Sequence, residues 1–253
     1  MRFHFKLPYG KQKHFLLEFG VHRRNTLLRT QEEERRALNV DNLSKRDYNK
    51  VFCVGFGKTG TTSLEKALKD FGFEMGNQAV AEILSQDWAK RRTDRIINFC
   101  YTADAFQDAP FGFPGLFKVL DSAFPNSKFI LTVRDNESQW YDSLIRFHTK
   151  IWSSDKSRAP NVEDLAGSLY RYRGCALDMK KLFYNFPNIE LYDEQYYKKQ
   201  YLDHIKSVQD YFQDRDIDLL VINVAEIGSY QKLGAFLNLS VDENDSFPWR
   251  NRT

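Results

Sequence analysis

Continuous apolar runs and segments with helical spacing alternate along the chain from Lys50 onward. The apolar runs are VFCVGF (51–56), KFILTV (128–133) and IDLLVINV (217–224), and each is typical of a strand buried on both faces of a sheet. Helical spacing is found in the segments 57–73, 113–124, 136–152, 162–186, 196–214 and 229–239. This alternation predicts an α/β fold, a parallel β-sheet flanked by helices on both faces.

The first 50 residues carry weaker periodic signals and a basic excess. HFLLEFGV (14–21) is compatible with a strand or a helix, and TQEEERRALNVDN (30–42) predicts a charged helical turn before a polar linker at 42–49. The segment holds 12 Lys and Arg against 6 Asp and Glu. We therefore interpret 1–49 as a basic N-terminal extension, either a solvated surface or an anion-binding arm, and 50–253 as one α/β domain.

Composition narrows the class of protein. The chain has 253 residues, of which 42% are hydrophobic and 28% charged, and this is ordinary for a globular protein. No apolar stretch approaches the roughly 18 residues of a membrane span, and the basic start lacks the apolar core of a secretory signal. A net charge of +3 is too small to indicate nucleic acid binding. Cys53, Cys100 and Cys175 are widely separated, so we expect no disulfide framework and no metal site, and a cytoplasmic location.

The most informative segment, GFGKTGTTSL (55–64), joins the first predicted strand to a helix. A tight glycine turn at this junction directs backbone N–H groups and the positive end of the helix dipole at one point, which suits a phosphate or sulfate. Lys58 adds a charge, and Thr59, Thr61 and Thr62 add hydroxyl donors. The nucleotide-triphosphatase pattern GxxxxGK[ST] would need glycine at position 52, where the chain has phenylalanine.

The order of an apolar strand followed by G-x-x-K-T-G-T-T-x-L resembles the loop by which sulfotransferases hold the 5′-phosphosulfate of 3′-phosphoadenosine 5′-phosphosulfate (PAPS). SKFILTVRDNESQWYDSL (127–144) looks like the family's strand ending in arginine and its serine-bearing helix. The segment 104–135 resembles the bacterial-type branch, and the residues from LLVINV to FPWRN look like the family's last strand, helix and tail. The resemblance covers about residues 50–251 and implies the P-loop-type sulfotransferase fold.

The resemblance also implies roles for individual residues. Lys58 would stabilise the leaving oxygen during sulfuryl transfer, and Arg134 would bind the 3′-phosphate with Ser143, or alternatively Ser138. Asp108 is the first candidate for the base, with Asp104 and His148 as alternatives. The residues expected to hold the cofactor are Gly57, Lys58, Thr59, Gly60, Thr61, Thr62, Arg134, Ser143, Arg250 and Asn251.

We therefore predict a PAPS-dependent sulfotransferase that releases 3′-phosphoadenosine 5′-phosphate (PAP) and modifies a hydroxyl or amine of a small-molecule, glycan or lipid acceptor. The scheme requires no metal. Two other functions stay open, a P-loop nucleotide phosphotransferase and a non-catalytic PAP-binding module. The sequence identifies neither the acceptor nor an oligomeric state.

Overall fold

The structure is a computed structural model that describes residues 46–247. The strands are β1 (Val51–Cys53), β2 (Ala105–Phe106), β3 (Lys128–Thr132) and β4 (Leu219–Ile222). The helices are α1 (Thr61–Asp70), α2 (Gln78–Ile83), α3 (Ser85–Ala89), α4 (Thr93–Cys100), α5 (Leu116–Ala123), α6 (Glu137–Trp152), α7 (Val162–Gly167), α8 (Cys175–Tyr184), α9 (Glu194–Tyr211) and α10 (Ser229–Phe236).

The strands form one parallel sheet in the order β2-β1-β3-β4. Register pairs Phe52 with both Phe106 and Phe129, so these rings lie in one row across the sheet. Because side chains alternate along a strand, the neighbouring Val51 and Cys53 point to the other face. The predicted α/β fold with a parallel sheet is confirmed.

Helices cover both faces of this sheet. The face with Phe52 and Phe129 packs against apolar residues of α4, α5 and α9. The opposite face, with Val51 and Cys53, packs against α1 and α10. Since all strands run the same way, their carboxyl ends share one edge, and this edge carries the loops that follow β1, β2 and β3. Among residues 46–247, no helix is both long and apolar enough to cross a membrane.

The structure differs from the sequence prediction in several elements. The third apolar run forms β4, but Leu219, Leu220 and Val221 are only partly buried or exposed, because β4 lies at the edge of the sheet. The predicted helix at 162–186 is broken into α7 and α8, with Gly174 capping α8 in the left-handed region. Hydrophobic periodicity also did not predict α2, α3, α4 and the short β2. The predictions for residues 1–45 and for Arg250 and Asn251 lie outside the described residues.

Candidate active site

The loop from Gly55 to Gly60 leads from β1 into α1. Gly60 caps α1 with φ 104°, and an added Cβ would lie 2.3 Å from Cγ2 of Val224. A left-handed backbone and this close approach both require glycine. The amide groups at the start of α1, on Thr61 and Thr62, have no partner within the helix, as in any first turn. The loop therefore presents free N–H donors and the positive end of the α1 dipole to an anion.

The position of the Thr59 side chain differs from that expected of a cofactor-binding residue. Its Oγ1 donates to the carbonyl of Phe56 at 2.6 Å and lies 2.5 Å from Oγ1 of Thr132 on β3. Its backbone N–H also donates to Phe56. The side chain is fully buried, so Thr59 ties the loop to the sheet, whereas Gly57, Lys58, Gly60, Thr61 and Thr62 line the cavity beside it.

Lys58 adopts the left-handed conformation, with φ 75°, and extends into the cavity. Its Nζ lies 3.5 Å from the centroid of the Phe147 ring on α6, a cation–π contact. Partial burial lowers the pKa of Lys58, an effect that the nearby Asp108 carboxylate opposes. Among the described residues, no carboxylate forms a salt bridge with Lys58, so its charge is available to a ligand.

Arg134 follows β3 and lines the same cavity. Its Nε donates to the carbonyl of Lys58 at 2.8 Å, and its backbone N–H donates to the hydroxyl of Tyr201 at 3.0 Å. The neighbouring Asp135 instead accepts hydrogen bonds from Gln139 and Asn223. In the described part of the chain, no carboxylate lies within salt-bridge distance of Arg134. Burial lowers the pKa of Arg134, and the nearby Tyr201 and Asp135 oppose this effect. A bound anion would supply the contact partner that a half-buried guanidinium requires.

The two serine alternatives on α6 occupy different environments. Ser143 is buried and lines the cavity together with Arg134. Ser138 accepts a hydrogen bond from Lys198 Nζ at 2.8 Å and is absent from the cavity lining. The geometry therefore favours Ser143 as the partner of Arg134.

Asp108 lies just beyond β2, at the same sheet edge as the loop. Its backbone is left-handed, with φ 59°, and its carboxylate accepts hydrogen bonds from the Ala109 N–H at 2.8 Å and from Thr61 Oγ1 at 3.2 Å. Burial, followed by the charge of Glu82, raises the pKa of Asp108, while both hydrogen bonds and Lys58 oppose the rise. A basic carboxylate thus faces the cavity beside the loop.

The two alternatives to Asp108 have contrasting positions. Asp104 precedes β2 and so lies toward the opposite sheet edge, where it pairs with Arg46 at 2.9 Å and accepts the N–H of Glu74. It does not line the cavity. His148 of α6 does line the cavity, and its Nδ1 lies 3.2 Å from Nζ of the buried Lys180. Burial and the charges of Lys180 and Lys58 hold the pKa of His148 well below its usual range.

The cavity has a volume of about 400 Å³, which is the size of a small-molecule site. It runs from the loop and Arg134 to a mainly aromatic end. That end is lined by Phe113, Trp152, Tyr170, Phe183 and Tyr184.

Two stacked aromatic residues, Trp140 and Tyr201, hold the loop in position. The sequence alone did not connect them to the loop. Trp140 of α6 donates its Nε1–H to the carbonyl of Gly57 at 3.0 Å. The indole is stacked on Tyr201 of α9, with a centroid distance of 4.6 Å and an interplanar angle of 3°. Tyr201 in turn accepts the Arg134 N–H. The helical spacing of α6 predicts that Trp140 is buried, but the hydrogen bond to the loop depends on tertiary contacts.

Comparison with known proteins identifies the family of the chain. No curated protein gives a match to the chain. The family model described as a sulfotransferase domain matches residues 50–253, which include the loop, Asp108, Arg134 and Ser143. The chain therefore belongs to the sulfotransferase domain family.

Proposed function

We propose that the protein transfers a sulfuryl group from PAPS to a hydroxyl or amine of an acceptor bound in the aromatic end of the cavity. The family membership supports sulfotransferase activity in general, and the proposal adds the donor and the residue roles. The predicted bacterial-type branch, the cytoplasmic location and the role of residues 1–49 as a basic extension stay part of this proposal.

The proposal rests on the guanidinium of Arg134, which lies beside the anion-binding loop and has no carboxylate partner among residues 46–247. A loop alone suits any phosphate or sulfate. A second, half-buried cation, Arg134, contacts the loop carbonyl of Lys58 and shares the cavity with Ser143, so it supplies a separate anion site. PAPS carries a phosphosulfate and a separate 3′-phosphate, so these residues fit it.

The loop residues account for binding of the phosphosulfate. The amides of Gly60, Thr61 and Thr62 would donate to the 5′-phosphate, and the bound donor supplies an activated sulfuryl group. Lys58 holds a charge in the cavity that stabilises the leaving phosphate oxygen as negative charge develops there. In this scheme the ring face of Phe147 contacts the Lys58 ammonium and restricts its position.

Asp108 accounts for deprotonation of a hydroxyl acceptor. Its carboxylate is held by the Ala109 N–H and by Thr61, and burial makes it a stronger base than an exposed aspartate. Aromatic side chains at that end would pack against a bound acceptor and displace water from it, which would limit loss of the sulfuryl group to hydrolysis.

Calorimetry of PAP binding in EDTA tests the donor assignment. We expect PAP to bind to the wild-type protein without metal, and Arg134→Ala to weaken it by about 1.5 to 3 kcal/mol, the value of a charge-assisted contact. Adenosine 5′-phosphosulfate lacks the 3′-phosphate, so its affinity should change much less.

Arg146→Ala is the matched control, because Arg146 is an exposed arginine of the same helix that carries Ser143 and does not line the cavity. Binding of ATP with Mg²⁺ but not of PAP would contradict the proposal in favour of a phosphotransferase. Equal losses of PAP and adenosine 5′-phosphosulfate would remove Arg134 from the 3′-phosphate site.

A further inference from the structure

A buried lysine without a carboxylate partner lies at the aromatic end of the cavity. Lys180 of α8 is 1% exposed, and its Nζ lies 3.2 Å from Nδ1 of His148. In the part of the chain that the structure describes, no acidic side chain forms a salt bridge with it. Buried lysines are rare because desolvation of the ammonium is costly, so the placement of Lys180 against a cavity histidine calls for a function.

Three tyrosine rings surround the amine in place of an acid. The Lys180 Nζ lies 4.3 Å from the ring centroid of Tyr192, 4.7 Å from that of Tyr184 and 5.4 Å from that of Tyr197. Ring faces are electronegative and stabilise an ammonium more than a neutral amine. They partly compensate the desolvation that lowers the pKa of Lys180.

The relative basicity of Lys180 and His148 determines which of the two nitrogens carries the proton. Burial lowers the pKa of both groups, but lysine is the stronger base by its reference pKa of about 10.4 against about 6.5 for histidine, and the three tyrosine rings favour the ammonium. A single proton shared by the pair therefore resides on the amine. A second proton on the imidazole is disfavoured by burial and by the charges of Lys180 and Lys58. His148 is therefore neutral, and its Nδ1 accepts the hydrogen bond.

A neutral imidazole that accepts at Nδ1 carries its hydrogen on Nε2. Nε2 has no hydrogen-bond partner among residues 46–247, and His148 lines the cavity. The rings of Trp152 and Tyr192, at centroid distances of 4.5 and 5.7 Å, restrict the orientation of the imidazole.

We propose that Lys180 is a positioning residue that holds His148 in the Nε2–H tautomer, so that His148 offers a hydrogen-bond donor, and not a proton acceptor, to an oxygen of the bound acceptor. The tautomer follows from the Lys180–His148 contact with the proton on the amine. Its role toward the acceptor rests on the proposed function, and it leaves Asp108 as the base.

Long-range ¹H–¹⁵N spectra of the uniformly ¹⁵N-labelled protein at neutral pH test this inference directly. The His148 signals are assigned by their loss in His148→Gln. We expect a bare Nδ1 and a protonated Nε2 in the wild-type protein. A protonated Nδ1 with a bare Nε2, or an imidazolium, would overturn the inference.

Variants of Lys180 separate positioning from packing. Lys180→Met keeps the length and apolar volume of the chain but has no donor, so His148 should lose its single tautomer, and its pKa should rise toward the ordinary value of about 6.5. Lys180→Arg retains a donor and should restore the Nε2–H signal. If both variants keep the wild-type spectrum, Lys180 does not determine the tautomer of His148. If Lys180→Met does not fold, the spectra of the wild-type protein and of Lys180→Arg still test the inference.

Calorimetry with PAP on the same samples distinguishes the two proposals. Binding of PAP with His148 as the Nδ1–H tautomer would overturn this inference and leave the donor assignment intact. A lack of PAP binding with the Nε2–H tautomer would overturn the proposed function and leave the effect of Lys180 on His148 standing.

Discussion

At the scale of single residues, the environment of Asp108 decides its chemistry. The carboxylate combines burial, which raises its pKa, with hydrogen bonds from Ala109 and Thr61 that hold it in place. An ordinary exposed aspartate would be a weaker base, and an unsupported one would be poorly oriented. Burial therefore makes Asp108 basic, whereas the two hydrogen bonds lower its pKa and determine its position.

Replacement of Asp108 separates catalysis from cofactor binding. Asp108→Asn should lower turnover of a hydroxyl acceptor by about 10² to 10⁴, the usual effect of losing a general base, while the affinity for PAP stays nearly unchanged. Steady-state kinetics with a radiolabelled sulfate donor measure the first quantity and calorimetry the second. Asp104→Asn is the control, since Asp104 lies outside the cavity. Full activity in Asp108→Asn would show that Asp108 is not the base.

The pH dependence of the same reaction provides an independent test of Asp108. A base must be deprotonated, so kcat/KM should fall as pH drops through the pKa of Asp108. Because burial raises that pKa above the ordinary 3.8, the acid limb of the wild-type profile should lie at higher pH than for an exposed aspartate. The residual activity of Asp108→Asn should lack this limb; an unchanged limb would show that another group produces it.

At the scale of elements, the loop between β1 and α1 shows how a backbone conformation creates a site. Gly60 has φ 104° and packs closely against Val224, and Thr59 and Trp140 anchor the two sides of the turn. These contacts hold the amides of the first helical turn toward the cavity. The anion site is therefore a property of the strand, loop and helix together.

A pair of glycine variants measures this contribution. Gly60→Ala combines left-handed strain with a contact of 2.3 Å to Val224, whereas Gly115→Ala introduces left-handed strain at the cap of α5 with open space around the Cβ. We expect Gly115→Ala to lower the free energy of unfolding by about 1 to 2 kcal/mol. Gly60→Ala should cost more than this and should also abolish detectable PAP binding, as measured by urea unfolding and calorimetry. Equal stability losses, or PAP affinity unaffected by Gly60→Ala, would contradict this account.

At the scale of the whole molecule, α9 connects the sheet to the wall of the cavity. Its buried face carries Tyr197, Tyr201, His204 and Val208. His204 donates its Nε2–H to the carbonyl of Val54 beyond β1, at 2.7 Å, and stacks on Phe56 with a centroid distance of 4.5 Å. Its buried Nδ1 has no hydrogen-bond partner in the described structure. Burial lowers the pKa of His204 to about 4.

This histidine predicts that acid destabilises the fold. In the unfolded chain the pKa of His204 returns to about 6.5, so between about pH 6.5 and 4 the unfolded state binds more protons than the folded state. The free energy of unfolding should therefore fall by about 3 kcal/mol as pH drops through this window, and His204 should contribute no further change below it. Urea unfolding at several pH values measures the effect.

His204→Gln should lose this part of the pH dependence, while His148→Gln should retain it. The comparison is needed because His148 also has a lowered pKa and contributes in the same direction. A wild-type stability that is flat between pH 6.5 and 4 would contradict the assignment.

Local sequence patterns determined much of this protein. The apolar run of β1, the glycine turn and the helical spacing of α1 are neighbours in the chain, so their periodicity and turn chemistry predict the loop without further information. The same holds for the start of α6. Asn136 is a typical N-cap residue, and its side chain accepts a hydrogen bond from the Gln139 N–H. Lys58 and Arg134, each placed after a predicted strand, indicated the sheet edge where the site lies, whereas Asp108 was a candidate through the family resemblance.

Tertiary structure alone decided the rest, because the deciding contacts join residues far apart in the chain. The apolar pattern of β4 does not reveal that, among residues 46–247, this strand pairs with β3 alone. The hydroxyl of Thr59 is drawn into the sheet by Thr132, and Ser143, not Ser138, reaches the cavity because of the way α6 packs. Lys180 and His148 lie on different helices and meet only where α6 and α8 enclose the cavity. Hydrophobic periodicity reports which face of an element is buried, but not which polar groups meet there, since that depends on the packing of several elements at once.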